Sequence, residues 1–296
     1  MNLETAFLAA SRGIRGWVPV LVVSVALPSA IAHSQPAPPG VYTTVTIPAI
    51  PEHSSVGVNA RGEILGDYGD PSGHGYLLRD GIVTVVDYPG AVETAAFGIN
   101  DTGDVAGYYA ATDGSVHGYL LRGGVYSTID FPGATLTQAH GVNDAGDVVG
   151  YYRVGSGPRH GFVIHAGTFT TLDFPGSTDT RAAGINSRGD IVGRHTVGGV
   201  IHGFILRKGT YTSIHYPGSL HTQARGINAR GDVVGGYLDA DEIDHGFRLD
   251  PKGDFASLEF PSALFTRAFG INSQGDIVGD YLSEDFILLG FLLTKH

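Results

Sequence analysis

Cysteine is absent from this chain of 296 residues, and methionine and tryptophan occur once each. Without cysteine the protein has neither a disulfide framework nor a zinc–thiolate site, so its stability must come from packing and strand pairing. Charged side chains make up only 16% of the residues, and the formal net charge is −11. That balance excludes the concentrated basic surface that nucleic acids and anionic membranes require of a partner.

Sustained helical periodicity is also missing from the sequence. Beyond the amino-terminal leader described next, no segment repeats apolar residues at i, i+3 and i+4, as an amphipathic helix would. Glycine is abundant instead, with 45 copies, and aromatic residues make up 10% of the chain. This composition is typical of turn-rich all-β proteins, in which a single domain often has roughly 200–250 residues.

The amino terminus has the features of a secretory leader. Its basic, apolar and small-residue parts are Arg12 and Arg15, Trp17–Leu27, and Ala30–Ala32. This order predicts a signal peptide over residues 1–32, followed by a proline-rich tether over 33–40. An uncleaved membrane anchor is the alternative. From the predicted signal peptide we expect a secreted protein, extracellular or periplasmic. We expect no membrane contact after cleavage, because no second segment is apolar for long enough to span a bilayer.

A motif of Gly, then Ile or Val, then Asn occurs six times at intervals of 41 to 44 residues. Its copies begin at Gly57, Gly98, Gly141, Gly184, Gly226 and Gly270. Each copy runs into an Asn-x-x-Gly turn and an apolar strand, as in NDAGDVVGYY. Because Asn caps such a turn and Gly adopts its positive φ, the motif predicts two antiparallel strands.

Two more strands follow in each repeat. A segment such as HGFVIH passes through a tight turn into a segment such as TFTTLDFPG, where proline ends the strand. Four short strands per repeat match one propeller blade. Residues 41–48 resemble a fourth strand without the first three, and residues 289–295 a third strand without a fourth. Their pairing predicts an all-β, six-bladed β-propeller over residues 41–296, with four antiparallel strands per blade; an open β-solenoid is the rival.

These motifs resemble those of the HAF-type extracellular repeat family, a group of secreted bacterial repeat proteins. The resemblance covers residues 41–296 and rests on HGFLL-like, DFPG-like and GINDxGDIVGxY-like stretches. Where the family name has Ala, this chain has Gly, as at Gly161. The resemblance implies secretion and a repeated architecture, and it implies no particular chemistry.

The expected hairpin register places a histidine opposite a carboxylate in four repeats. The pairs are His74 with Asp87, His117 with Asp130, His160 with Asp173, and His245 with Glu259. The fourth repeat has His202 opposite His215 instead. A ring of metal ligands is one interpretation, but equivalent positions in different blades are too far apart to converge on one ion. We therefore predict structural cross-strand pairs, no metal and no cofactor. Calcium at the Asn-x-x-Gly-Asp turns is a second metal hypothesis, but turn chemistry alone explains these residues.

Function is expected where the repeats differ from one another. The segment before each Gly-Ile-Asn has variable positions, which are occupied by Gln138, His140, Arg181, Gln223, Arg225 and Arg267. In a propeller these residues surround the mouth of the central funnel, where arginines bind a carboxylate or sulfate through forked donors. We predict a monomeric, non-catalytic binding or scaffold module for an extracellular glycan, peptide or small acidic ligand.

An enzyme is the alternative function. A secreted lyase or hydrolase acting on an acidic polysaccharide or lactone would use His140 or His221 as a base, and Arg181 or Arg225 to hold a carboxylate. The sequence contains no nucleophile elbow, zinc-protease motif or phosphate loop. Propeller enzymes assemble their sites from several blades, so this absence does not decide the question. A purely structural surface protein is a third interpretation.

Overall fold

The computed structural model describes residues 40–47, 50–69 and 73–295. The predicted signal peptide, and the predicted tether except Gly40, lie outside these residues. The described residues form 24 β-strands and no α-helix. No helix in this part of the chain is therefore long and apolar enough to cross a membrane.

The strands follow the sequence repeats, four to a repeat. Repeat 1 has β2 (Ser54–Val58), β3 (Ile64–Gly69), β4 (Gly73–Arg79) and β5 (Ile82–Val86); repeat 2 has β6 (Glu93–Ile99), β7 (Val105–Ala110), β8 (Val116–Arg122) and β9 (Val125–Ile129); repeat 3 has β10 (Leu136–Val142), β11 (Val148–Arg153), β12 (Arg159–His165) and β13 (Thr168–Leu172). Repeat 4 has β14 (Asp179–Ile185), β15 (Ile191–Val197), β16 (Val200–Arg207) and β17 (Thr210–Ile214); repeat 5 has β18 (His221–Ile227), β19 (Val233–Leu238), β20 (Asp244–Leu249) and β21 (Phe255–Leu258); repeat 6 has β22 (Phe265–Ile271), β23 (Ile277–Leu282) and β24 (Leu288–Thr294), and its fourth strand is β1 (Val41–Thr44).

Strands within a repeat pair antiparallel and in chain order, and they form five sheets of four to eight strands, none of them closed on itself. The eight-stranded sheet contains repeats 2 and 3, which are joined by a short parallel contact of Leu136 with Val116. The predicted pairing of the chain ends is present, because β1 lies beside β24 with Val41 opposite Thr294. The two ends of the described chain thus complete the sheet of repeat 6.

Aromatic residues pack neighbouring repeats together. The aromatic residue that precedes the proline of one repeat stacks on a ring in the second strand of the next repeat. The stacks are Tyr88–Tyr109 at 3.7 Å, Phe131–Tyr152 at 3.6 Å, Phe174–His195 at 3.5 Å, Tyr216–Tyr237 at 3.7 Å and Phe260–Tyr281 at 3.6 Å between centroids. The aromatic residue of each His-Gly-aromatic segment is fully buried, as Tyr119 and Phe162 illustrate. Each such ring stabilises the fold by roughly 1.5–3 kcal/mol through burial.

An asparagine in each Gly-[Ile/Val]-Asn motif links neighbouring repeats. Its Nδ2 donates to the carbonyl oxygen of the equivalent asparagine in the next repeat. The donors and acceptors are Asn59 to Asn100, Asn100 to Asn143, Asn143 to Asn186, Asn186 to Asn228, Asn228 to Asn272, and Asn272 to Asn59, all at 3.0–3.2 Å. This series of hydrogen bonds, which we call the asparagine belt, returns to the residue at which it begins.

Candidate ligand-binding site

The first strands of the six repeats lie side by side, and β22 of the last repeat also contacts β2 of the first. Where these inner strands begin, each forms a cross-strand pair with the second strand of its repeat. The pairs are Ser54–Asp67, Ala95–Tyr108, Gln138–Tyr151, Arg181–Arg194, Gln223–Gly236 and Arg267–Asp280. Together with Phe97, His140, Arg225 and Phe269 on the inner strands, we call these residues the axial ring.

A layer of glycines bounds the axial ring on one side. A Cβ atom placed on Gly98 would lie 2.8 Å from the Cα of Gly141, and one placed on Gly270 would lie 3.0 Å from the Cα of Gly57. Contacts this short mean that the inner strands approach one another as closely as glycine permits. A ligand at the axial ring would therefore enter from the opposite side, where the inner strands begin.

Three arginines form the cationic side of the axial ring. Arg194 Nη1 donates to Gln223 Oε1 at 3.0 Å. The Arg225 guanidinium lies 4.3 Å from the centroid of Phe269, and its buried Nη1 has no hydrogen-bond partner among the described residues. Arg181 forms an ion pair, because its Nε donates to Asp179 Oδ1 at 2.8 Å. Arg194 and Arg225, in contrast, form no ion pair within the described chain.

Gly236 makes room for one of these arginines. A Cβ atom at this position would lie 3.9 Å from Cζ and Nη1 of Arg225. The other repeats carry Asp, Tyr or Arg at the equivalent position of the second strand. The small residue in repeat 5 thus leaves space beside an unpaired guanidinium.

The acidic side of the axial ring contains a buried ion pair. Arg267 donates from Nε and Nη2 to the two oxygens of Asp280, at 2.9 and 2.7 Å. Asp280 is 0% exposed and also accepts from Ser54 Oγ at 3.0 Å. Arg267 is therefore neutralised within the protein. Nearby Asp67 differs, because its buried Oδ1 has no hydrogen-bond partner among the described residues.

Aromatic rings line the side of the axial ring contributed by repeats 2 and 3. Phe97 stacks on His140 with 4.2 Å between centroids and 8° between planes. His140 Nε2 lies 3.3 Å from Gln138 Oε1, which also accepts from the Tyr151 hydroxyl. The Tyr108 hydroxyl donates to Glu93 Oε1 at 2.9 Å. This side of the axial ring therefore combines aromatic rings with hydrogen-bonding side chains and, within the described chain, has no cation of its own.

The proton affinities of these groups reflect burial and mutual repulsion. Burial, then the neighbouring guanidinium groups, lowers the pKa of Arg194 to about 9 and that of Arg225 to about 10. Burial, then Arg181 and Arg194, lowers the pKa of His140 to about 3, so its imidazole is neutral. Burial, then the Asp280 carboxylate, raises the pKa of Asp67 to about 7. An anion placed between the arginines would relieve their repulsion.

All six predicted ligand residues lie in the axial ring, but they are not equivalent there. Arg267 and Arg181 are held by carboxylates of the protein, whereas Arg225 is not. The second candidate base, His221, lies elsewhere: its Nδ1 accepts the backbone N–H of Ile201 at 3.2 Å. The structure therefore does not bring His140 and His221 together.

The predicted ligand residues all lie on the first strands and do not include the second-strand half of the axial ring. That half consists of Asp67, Tyr108, Tyr151, Arg194, Gly236 and Asp280. The signal was present in the sequence, because the residue that follows Val-Gly, Leu-Gly or Ala-Gly in this strand differs between repeats. Choosing the positions that vary between repeats, as was done for the first strand, also identifies this position of the second strand.

The four predicted histidine–carboxylate pairs lie on the outer hairpins. Histidine Nδ1 is 2.8 Å from a carboxylate oxygen at His74–Asp87, 2.7 Å at His117–Asp130, 2.9 Å at His160–Asp173 and 2.9 Å at His245–Glu259. His245 also contacts Asp239 through Nε2 at 2.9 Å. Burial opposes the charged imidazolium, but Glu259 and Asp239 outweigh it and raise the pKa of His245 to about 9.

A separate groove of about 510 Å³ opens at the turn end of repeat 1, where Arg61, Glu63, Arg79 and Thr102 line it. Both arginines already form ion pairs with Glu63. Its cations are thus compensated within the protein, unlike Arg194 and Arg225.

No protein-family model and no curated protein sequence matches the chain. Solved structures do. AofleA from Arthrobotrys oligospora aligns over 88% of both chains with a TM-score of 0.56 and 11% identity. A lectin from Aleuria aurantia in complex with Fucα1-6GlcNAc aligns over 82% of this chain and 91% of its own, with a TM-score of 0.53 and 12% identity. TolB from Acinetobacter baumannii aligns over 83% of this chain and 64% of its own, with a TM-score of 0.54 and 12% identity. At such low identity the likeness concerns the fold alone: the chain has an all-β fold with β-propeller-like structural neighbours.

Proposed function

We propose that this protein is a secreted, six-bladed β-propeller that binds a ligand carrying an anionic group at its axial ring. Two observations support the closed ring of blades. The strand at the start of the described chain pairs with β24, and the asparagine belt returns from Asn272 to Asn59. An open solenoid would leave the first and last repeats without these mutual contacts.

Secretion and membership of the HAF-type repeat family are part of the same proposal. Secretion rests on the basic, apolar and small-residue segments of residues 1–32. Family membership rests on the HGFLL-like, DFPG-like and GINDxGDIVGxY-like stretches over residues 41–296. Release of a chain that begins at residue 33 into the periplasm or the medium would support the first point; retention of the apolar segment in a membrane fraction would contradict it.

The observation that carries the ligand proposal is the pair Arg194 and Arg225. Both are half-buried, neither forms an ion pair within the described chain, and Arg225 Nη1 is buried without a hydrogen-bond partner. A buried guanidinium without an anion is unfavourable, and its forked donors match a carboxylate or sulfate. The ligand therefore supplies the missing anion in the form of an acidic sugar, an acidic peptide side chain or a small organic acid.

The other side of the axial ring suits the rest of such a ligand. Phe97 and His140, stacked on each other and only partly buried, offer aromatic carbon atoms for contact with a sugar ring or an apolar side chain. Among the structural neighbours, the Aleuria aurantia protein is a lectin in complex with a fucosylated disaccharide. That neighbour supports a glycan as the ligand class to be tested first.

A binding role accounts for the histidines better than catalysis does. A general base works best when its pKa is near the operating pH, whereas burial and Arg181 lower the pKa of His140 to about 3. His221 accepts a backbone N–H bond outside the axial ring. We therefore place the lyase or hydrolase alternative second, with no residue of the ring assigned as its base.

The experiment is calorimetric titration with three probes: a galacturonic acid oligomer, an Asp/Glu-rich peptide and the neutral disaccharide Fucα1-6GlcNAc. We expect an acidic probe to bind, and Arg225→Gln or Arg194→Gln to weaken it at least tenfold, because a charge-assisted hydrogen bond contributes about 1.5–3 kcal/mol. The matched control is Arg188→Gln, since Arg188 bonds Asp190 outside the axial ring. Equal binding by the parent and the two ring variants would refute the site, and binding of the neutral probe alone would refute the acidic ligand.

A further inference from the structure

Repeat 4 departs from its neighbours on the outer hairpin. In four other repeats, the histidine of the third strand lies between a tyrosine of the second strand and a carboxylate that follows the fourth strand. The Tyr–His stacks are Tyr68–His74, Tyr109–His117, Tyr152–His160 and Tyr237–His245, with 5.0–5.4 Å between centroids. Repeat 4 keeps the central histidine, His202, but both of its neighbours are imidazoles.

The two substitutions put three histidines in series. His195 replaces the tyrosine, with its ring centroid 5.5 Å from that of His202. His215 replaces the carboxylate, with its centroid 5.3 Å from that of His202. Within the described residues, the imidazoles of His202 and His215 form no hydrogen bond and no ion pair. The hairpin of repeat 4 thus has two unbonded imidazoles where other repeats have a bonded His–carboxylate pair.

The register brings His202 and His215 to directly opposite positions. The β16–β17 ladder ends with Gly203 opposite Ile214, and the next positions outward are the two histidines. Opposite residues have Cβ atoms about 4.5–5.5 Å apart. At that separation two imidazole nitrogens can each reach one ion at the usual metal–nitrogen distance of about 2.0–2.1 Å.

Packing holds His202 in place and leaves His215 accessible to solvent. His195 is 2% exposed, stacks on Phe174 at 3.5 Å and contacts Ser213 Oγ through Nε2 at 3.2 Å. It therefore supports His202 from behind as a positioning residue. His215 is exposed, so an ion can reach the pair from solvent.

Neutral imidazole coordinates metals through the nitrogen that carries no proton. His221 begins the neighbouring strand β18, but its Nδ1 accepts the N–H of Ile201, so its proton is on Nε2 and neither nitrogen is free to bind an ion.

We propose that His202 and His215 chelate one divalent late transition-metal ion, such as Zn²⁺ or Ni²⁺, on the outer edge of repeat 4. Imidazole ligands favour these ions over calcium or magnesium. In the described part of the chain, no group of three or more His, Asp or Glu forms a metal site. Water or a ligand group consequently completes the coordination. The site is independent of the axial ring.

The test is titration of the untagged protein with Zn²⁺ at pH 7.5, followed by calorimetry and by NMR of ¹⁵N-labelled imidazoles. We expect one ion per chain and shifts of the His202 and His215 ring nitrogens. His215→Asn should weaken binding at least tenfold. It should also fold, because three other repeats hold aspartate, which has nearly the same size and shape as asparagine, at that position. His202→Ala is the second variant, and His160→Ala in repeat 3 is the matched control with parental affinity.

Three results would overturn the proposal. They are the absence of Zn²⁺-dependent shifts at His202 and His215, parental affinity in both repeat 4 variants, and a loss in His160→Ala equal to that in His202→Ala. The last result would mean that the His–carboxylate hairpins bind zinc as well as repeat 4 does.

Discussion

The two ends of the inner strands differ in how similar their side chains are from repeat to repeat. At the asparagine belt, six repeats carry the same side chain with the same three roles. In Asn143, for example, Oδ1 accepts the Asp147 N–H at 2.9 Å, and Nδ2 donates to Asp147 Oδ2 and to the Asn186 carbonyl. At the axial ring, a few residues further back along the same strands, no two neighbouring repeats carry the same pair of side chains.

This difference separates what assembles the repeats from what the assembled protein binds. Each repeat needs an amide oxygen that accepts the N–H of its own turn and an amide N–H that reaches the backbone carbonyl of the next repeat, and asparagine supplies both. No such demand acts on the axial ring, where each cross-strand pair belongs to one repeat. Side chains there can differ from one repeat to the next, and the axial ring has arginines on one side, an ion pair on another and aromatic rings on a third.

Arg267 provides the test with the largest expected effect. It lies in the axial ring, but its ion pair with Asp280 stabilises the fold. Replacing it with Ala leaves the fully buried Asp280 without its cation. We expect a loss of about 3–5 kcal/mol in the free energy of unfolding, measured by urea titration. Arg181→Ala is the control, since its partner Asp179 is only partly buried. A loss below about 1 kcal/mol for Arg267→Ala would return this residue to the ligand-binding set.

Asn143→Ala tests the contribution of the asparagine belt to stability. The change leaves the Asp147 N–H and the Asn186 carbonyl without their side-chain partner, and we expect a loss of about 1–3 kcal/mol in unfolding free energy. Ser187→Ala, at an exposed position in the adjacent turn, is the control and should be neutral. Retention of full stability in Asn143→Ala would mean that strand packing alone holds the repeats together.

Asp67→Asn should produce an effect on stability that depends on pH. Because the folded-state pKa of Asp67 is raised from 3.8 to about 7, the unfolded chain releases this proton first, and stability falls as pH rises between these values. The Asn variant lacks this penalty. We expect it to melt above the parent at pH 8 and to match it at pH 3. A constant difference between the two proteins across this range would rule out titration of Asp67 as the cause.

The sequence was most informative about features that recur. Six copies of one motif predict the hairpins, and the hairpin register places His117 opposite Asp130, where the two side chains are in contact. The pairing of β1 with β24 followed from two incomplete repeats at the chain ends. A recurring feature is reliable because six copies of the same local chemistry point to the same pairing.

The axial ring was only half predictable, for a physical reason. Which arginine is available to a ligand depends on partners that lie on other strands, as Asp280 does for Arg267 and Asp179 does for Arg181. A sequence shows that a position varies between repeats, but it does not show whether a variable arginine is already neutralised. The distinction between Arg225 and Arg267 therefore required the side-chain contacts.

His245 offers the smallest test of the comparison. It forms the same histidine–carboxylate pair of the outer hairpin, here called the clasp, as three other repeats, but it contacts two carboxylates, Glu259 and Asp239. Its pKa is raised from 6.5 to about 9 by Glu259 and Asp239 against the opposing effect of burial. The clasp therefore contributes its full stability below pH 6.5 and loses it as pH rises through 9. We expect His245→Gln to lower stability by about 1 kcal/mol or less at pH 6, with no difference from the parent at pH 9.5 in thermal melts. His117→Gln, which faces one clasp carboxylate, controls for the lost ring packing. A deficit that persists at pH 9.5 would mean that packing of the imidazole, rather than its charge, stabilises this hairpin.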